Sequence, residues 1–335
     1  MLSIKNLSLT QIGGGINLID LGASGTLSSY WSKIENMINL YAFEPNEEEC
    51  KRLRCANNNL ASTTYFPVAI AGKSGKYTLF ETKHKHCWSL LEPNQKWLNR
   101  FKYSHLFEIE CQSEIEAISL EDFEKTKEID VDVIKLDTQG LELPILENAP
   151  SKVKSAFLIE TETGFVENYK GESTFAQISN FMKENNFLLF DLNSNHRESR
   201  DNELSETSKN QEILWCEALW LKDYLKLEEQ EKLDIDRVKA LKSLILCANH
   251  GCIDYGLELA ELFVQKKLIS NEEYQDLKNE NNWQLDSRLK LLTNQTLTNI
   301  LNFLPGEFSK EVAGILLEVS QRNNPIKQIF SKIFV

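Results

Sequence analysis

The sequence predicts an α/β fold, a mostly parallel sheet with helices on both faces and an antiparallel last strand, followed by an all-α helical domain. Three observations carry this expectation. Short buried apolar runs alternate with helix-forming stretches from residue 16 to 222, as parallel strands joined by crossover helices do. Two strand-like runs, 187–192 and 213–222, close that region without a helix between them, which favours an antiparallel pair. Beyond Asp223 the apolar residues recur only at helical spacing. The expected division is therefore 1–222 for the α/β domain and 223–335 for the helical one.

Taken in order, residues 16–20 form a short buried strand that runs into a glycine turn, and 26–38 read as the helix leaving it. Residues 40–44 give a second strand, after which Pro45 and Asn46 open a helix. Its first turn holds Glu47, Glu48 and Glu49, acids at the positive end of the helix dipole. A third strand spans 62–70. From 72 to 112 the pattern changes: 76–81 and 107–111 alternate apolar and polar residues, as half-exposed strands do. They enclose a polar stretch with His84, His86, Trp88 and Trp97, an insertion over one sheet edge. Buried runs return at 131–136 and 153–159, with helices near 142–148 and 173–186. Residues 193–211 are polar without an apolar period and read as a surface loop. Helical periodicity then runs through 238–245, 257–264 and 289–304, giving five or six helices.

Composition narrows the function. The chain has 335 residues, 41% of them hydrophobic, and a formal net charge of −13. A phosphate-tracking protein needs a basic face, so nucleic acid is not an expected partner. No uninterrupted apolar run reaches the roughly 18 residues of a membrane span. The N-terminal segment lacks a signal-peptide core, so the expected location is cytoplasmic. Seven cysteines, odd in number and without a CxxC pair, suggest neither a disulfide framework nor a zinc site, and no metal is expected.

The chemistry is concentrated at strand ends. Asp20, Gly22, Ala23, Ser24 and Gly25 stand where the first strand turns toward a helix, where a ligand can approach the backbone closely. A dinucleotide site would carry GxGxxG, which is missing, and Asp20 would repel pyrophosphate, so a nicotinamide oxidoreductase is disfavoured. That acid suits a cationic amino group, which S-adenosyl-L-methionine presents together with a carboxylate and a sulfonium. Glu44, followed by Pro45, ends the second strand 22 residues after Gly22, where a carboxylate can accept both hydroxyls of a ribose. Asp137 lies at the end of the central strand, and Glu160 and Glu162 at the end of its neighbour. Carboxylates at one rim can act as a base, hold a divalent metal or hydrogen-bond a polyol, whereas Glu142 reads as structural. His84, His86 and His105 are bases by type. Trp88 and Trp97 suit either packing over the sheet edge or stacking on a sugar face.

Together these residues resemble the FkbM family of methyltransferases. The matching stretches include Leu18-Ile-Asp-Leu-Gly-Ala-Ser24, Tyr41-Ala-Phe-Glu-Pro-Asn46 and Ile134-Lys-Leu-Asp-Thr-Gln-Gly-Leu-Glu142. Val68-Ala-Ile70, Gly75-Lys-Tyr-Thr-Leu79, Cys87-Trp-Ser-Leu90, Leu158-Ile-Glu160 and Phe187-Leu-Leu-Phe-Asp-Leu192 add to them, and the likeness covers roughly 16–222. It departs at Thr26, where the family places its second glycine, here at 25, and only about 15 residues precede the first strand, too few for an N-terminal helical lid. The resemblance implies a class I, Rossmann-like fold and O-methylation by S-adenosyl-L-methionine, commonly of a sugar or polyketide hydroxyl in glycan biosynthesis. By position it implies Asp20, Gly22 and Ala23 along the methionine moiety, Glu44 on the ribose and Asp137 near the methyl group. The expected base is Asp137 or a histidine of 84–105, His86 in particular, and the expected partner is a small-molecule or glycan acceptor. The helical region is a surface through which two copies could pair. The rival reading is a non-catalytic module of the same fold, used for assembly or carbohydrate binding.

Overall fold

The computed structural model describes residues 2–23, 27–56, 59–205, 207 and 211–285. The helical periods expected beyond 286, and Ser24, Gly25 and Thr26 of the glycine turn, lie outside the described residues.

Twelve strands and nine α-helices are described. The first part holds β1 (Ile16–Leu21), β2 (Ile38–Phe43), α1 (Glu47–Ala56), β3 (Ser62–Phe66), β4 (Ala69–Ala71) and β5 (Gly75–Thr82). The middle holds α2 (Gln95–Leu98), β6 (Ile109–Ser119), β7 (Val133–Leu136), α3 (Glu142–Glu147), α4 (Pro150–Ser155), β8 (Leu158–Gly164) and α5 (Phe175–Glu184). There follow β9 (Phe187–Asn193), β10 (Arg197–Glu198), β11 (Glu212–Ile213), β12 (Trp215–Lys222), α6 (Tyr224–Glu229), α7 (Arg237–His250), α8 (Ile253–Gln265) and α9 (Asn271–Leu277). Seven strands form the main sheet in the order β3-β2-β1-β7-β8-β12-β9. The pairs among β3, β2, β1, β7 and β8 are parallel. β12 inserts antiparallel between β8 and β9, so the last strand is antiparallel as expected.

Four local expectations are corrected, each for a physical reason. The helix expected over 26–38 is replaced by two 3-10 turns, Ser29–Lys33 and Glu35–Met37. Buried Trp31, Ile34 and Met37 recur every three residues, the period of a 3-10 helix rather than an α-helix. The strand expected over 62–70 breaks at Pro67, which has no N–H for a ladder. The part before it pairs with β2 and the part after it with β6, in a separate three-stranded sheet β4-β6-β5. The run at 153–159 begins as helix α4, with Pro150 at its first turn, and becomes strand only at Leu158. The loop at 193–211 carries β10, which pairs with β11.

Apolar residues cover both faces of the main sheet. On one face Leu18, Leu40, Val133, Leu158 and Leu221 share a core with Leu241, Leu244, Ile245 and Phe263 of α7 and α8. On the other, Ile19, Ile134, Ile159 and Trp220 pack with residues of α3, α4 and α5. An ion cluster adds to the first contact: buried Asp132 receives Lys239 Nζ at 2.9 Å and Lys242 Nζ at 2.7 Å, both from α7. Among the described residues no helix is long and apolar enough to cross a membrane.

Candidate active site

The C-terminal ends of the parallel strands open into a cavity of about 610 Å³, the edge at which ligands sit in open α/β sheets. Gly22, Glu44, Pro45, Asp137 and Glu162 bring four strand ends to its floor. Its walls come from far along the chain: His86, Tyr103 and Phe107 from the insertion, Tyr169 from the segment after β8, and His196 and Trp215 around the final hairpin. The aromatic walls were not legible as such in the sequence, because no local period marks them.

The glycine turn owes its residue type to its neighbour. Gly22 has φ 84°, and a Cβ there would stand 1.9 Å from the Asp137 carbonyl oxygen. The N–H groups of Gly22 and Ala23 both donate to Phe43 O at 3.1 Å, which ties the turn to the end of β2. Asp20 and Ala23 are buried, and of the described turn residues Gly22 lines the cavity. The cation that Asp20 meets is Lys135, whose Nζ donates to Oδ1 at 2.9 Å from the facing position of β7. Lys135 in turn sits beside Glu160 of β8, which accepts the Tyr30 hydroxyl at 2.6 Å. Burial opposes the charge of Lys135, but Asp20 and Asp137 outweigh it and hold its pKa high. Burial pushes Glu160 up to about 7, against the pull of Tyr30 and Lys135. The sequence offered Asp20 to a ligand's ammonium group; the fold supplies it with a lysine.

Glu44 is 8% exposed and lines the cavity. Its Oε1 accepts the Asn46 N–H at 2.8 Å, and among the described residues no donor engages Oε2. Burial raises its pKa, with the Asn46 N–H working the other way. A carboxylate oxygen of a buried side chain that faces a cavity without a partner has room for a donor. The ribose diol of S-adenosyl-L-methionine supplies one, so these residues fit that cofactor.

Asp137 is held by a network of loop groups. Gln139, in the left-handed region at φ 54°, donates from Nε2 to Asp137 Oδ1 at 2.7 Å and accepts the Tyr169 hydroxyl at 2.8 Å. Ser89 Oγ fixes the same loop through Gln139 O at 2.8 Å. Glu142 is the buried cap of that loop, accepting Thr138 N–H at 2.8 Å, the Thr138 hydroxyl at 2.9 Å and Gly140 N–H at 3.1 Å. Glu172 plays the same part opposite, accepting Asn168 and Tyr169 N–H groups at 2.6 and 3.0 Å, and burial pushes it up to about 8.

The histidines separate. His86 is exposed at the cavity, its ring 5.2 Å from that of His84. His105 is exposed, with Nδ1 3.2 Å from Lys102 O. Trp88 lines the cavity while its Nε1 donates to Thr82 O, and Trp97 packs on Phe101 with Arg100 and Arg200 over its ring. His196, unmarked in the sequence, stacks on Trp215 with centroids 5.2 Å apart. Among the described residues no group of three or more His, Cys, Asp or Glu side chains is arranged to hold a metal.

Comparison with known proteins adds the family. A model of the methyltransferase FkbM domain matches residues 20–189. No curated protein matches the chain. Similar solved structures include precorrin-6y C5,15-methyltransferase from Geobacter metallireducens, 8% identical over 64% of this chain and 85% of that one, at a TM-score of 0.32. M. capricolum TrmK in complex with S-adenosyl-homocysteine is 11% identical over 83% of this chain and 95% of that one, at 0.31. The N-terminal domain of EvdMO1 with S-adenosyl-homocysteine bound is 9% identical over 64% and 76%, at 0.29. The family match spans the glycine turn, Glu44 and Asp137 on a sheet of Rossmann-like order, and the chain belongs to the FkbM methyltransferase family, with S-adenosyl-L-methionine as its cofactor.

Proposed function

We propose that the chain is an O-methyltransferase acting on a hydroxyl of a small, uncharged acceptor such as a sugar or related metabolite. The observation that carries this reading is the convergence of Glu44 and Asp137 on one cavity from the ends of β2 and β7, with aromatic walls supplied by other segments. When bound, S-adenosyl-L-methionine supplies a methyl group on a good leaving group. The protein then has to align the acceptor oxygen, exclude water and remove a proton. Glu44 is assigned to the ribose and Gly22 and Pro45 to the cofactor's bed, with Ala23 and Asp20 shaping that bed from beneath. Asp137, oriented by Gln139, takes the acceptor's proton, and His86 contributes at the cavity mouth.

Charge speaks against an anionic acceptor. Among the lining acids, burial pushes Glu142, Glu162 and Glu172 toward the neutral form, which leaves Glu44, Glu49, Asp137 and Glu198 against Lys85 and the histidines 86 and 196. A phosphorylated acceptor would meet repulsion there, whereas hydroxyl donors would find acceptors. Tyr169, Trp215 and Phe107 supply apolar wall against which a ring can pack.

Titration calorimetry with S-adenosyl-L-methionine tests the reading. Binding is expected to weaken at least tenfold in Glu44→Ala while the circular dichroism spectrum stays unchanged, since a buried hydrogen-bonded carboxylate contributes roughly 1.5–3 kcal/mol. Absence of binding to the unaltered protein at millimolar cofactor would return the fold to a non-catalytic role in assembly or carbohydrate binding.

A further inference from the structure

Parallel register places a second carboxyl group against Asp137. Leu136 of β7 pairs with Thr161 of β8, so the next residues, Asp137 and Glu162, stand side by side at the cavity floor. Neighbours on adjacent strands that line the same cavity, the two carboxyl groups are within reach of a hydrogen bond. Two ionised carboxylates are acceptors only, so that bond needs a proton on one of them. The nearby cation, Lys135, is bonded to Asp20 and acts on Asp137, which favours the negative charge on that partner. Glu142 of α3 and Glu217 of β12 add like charge around Glu162. The thiols of Cys87 and Cys216 and the phenol of Tyr169 face it too, and none of these is a cation. Asp137 has its Oδ1 taken by Gln139 Nε2, which can only donate to it. The proton therefore has its place on Glu162, donated toward Asp137.

We propose that Glu162 is the positioning residue of this site, a carboxylic acid that donates to Asp137 so that the pair carries one negative charge, on Asp137. This rests on the reading of Asp137 as the proton acceptor. Two donors, Gln139 Nε2 and Glu162, then fix the plane of one carboxylate. When an acceptor O–H breaks, its proton forms an O–H bond on Asp137, and the pair passes from one negative charge to none. No buried dianion arises at either stage, which two adjacent carboxylates without the shared proton could not avoid. Burial and then Asp137 push the Glu162 pKa well above the ordinary carboxylate range, in the same direction.

Infrared difference spectroscopy on the full chain at neutral pH tests the assignment without an acceptor. A carbonyl stretch of a protonated carboxyl group, shifted in heavy water, is expected in the unaltered protein and lost in Glu162→Gln. The amide of Glu162→Gln keeps a donor toward Asp137, so that variant should retain the fold, and Glu162→Ala should not match it in melting temperature. The same band should vanish in Asp137→Asn, whose amide can donate to an ionised Glu162. Because the unfolded chain releases this proton near the ordinary Glu value of about 4.3 while the folded chain holds it, the melting temperature of the unaltered protein should fall from pH 6 to 9 by about 2 °C or more beyond that of Glu162→Gln. A spectrum in which Glu162→Gln keeps every protonated-carboxyl band, or equal alkaline melting of the two proteins, would overturn the proposal. Cofactor calorimetry separates the two readings. Binding with no Glu162 band sinks this assignment alone, and the band without binding sinks the proposed function while leaving the pair.

Discussion

At Gly22 the backbone of one strand end comes so close to another that a methyl group has no place: the nearest atom is the Asp137 carbonyl oxygen, 1.9 Å from where a Cβ would stand. The positive φ of 84° adds a second penalty for any L side chain. Gly22→Ala is expected to cost about 3 kcal/mol or more, read as a fall in the denaturant midpoint, and to displace Asp137 along with the turn. Glu44, by contrast, is expected to be cheap for the fold and expensive for the cofactor, because one of its oxygens has no partner among the described residues. Those two residues, both singled out by motif, have separable roles, and paired stability and binding measurements on the two variants will distinguish them.

Among the elements, α7 does most to seal the sheet. Asp132, 0% exposed, holds Lys239 and Lys242 and also accepts the Asn17 N–H at 2.8 Å through Oδ2. Removing the acid leaves two nearly buried ammonium groups without it, so Asp132→Ala should cost roughly 3–5 kcal/mol in chemical denaturation. The last residue of the same helix gives a pH signature. His250 packs on Trp31 at 5.2 Å and Tyr30 at 5.3 Å, and burial with the nearby Lys33 depresses its pKa to about 3. A depressed histidine stabilises the fold above its unfolded pKa of about 6.5, and that contribution is lost as the pH falls toward 3. His250→Phe should therefore lose less melting temperature than the unaltered protein between pH 7 and 4. Parallel acid curves for the two proteins would refute the assignment.

At the scale of the molecule, the chain divides after Leu285, and the first unit, up to that residue, is compact. Within the first, the helices after Lys222 bury Leu221, Leu18 and Val133 of the sheet beneath Leu244 and Ile245. A chain cut after Lys222 would expose that face and is expected to aggregate on expression. One cut after Leu285 is expected to melt in a single cooperative transition, followed by circular dichroism. Retention of soluble, cooperatively folded protein by the shorter chain would mean that the helices are dispensable to the sheet.

The mostly parallel sheet, its antiparallel ending and the strand-end positions of Glu44 and Asp137 were determined by the sequence alone. Buried runs, turns and helical periods are local patterns, and the parallel topology then sends every strand end to one rim. Even the 3-10 turns at 29–37 were written in a period of three, through Trp31, Ile34 and Met37, although read as a helix. What only the tertiary structure decided is who stands beside whom. Asp20 meets Lys135, Asp137 meets Glu162, and Tyr103 and Trp215 wall the cavity with Gly22, because sheet order and register bring together residues separated by up to 193 positions in the chain. Charge and proton position depend on those neighbours, so the acids of this site could be located from the sequence but their chemistry could not.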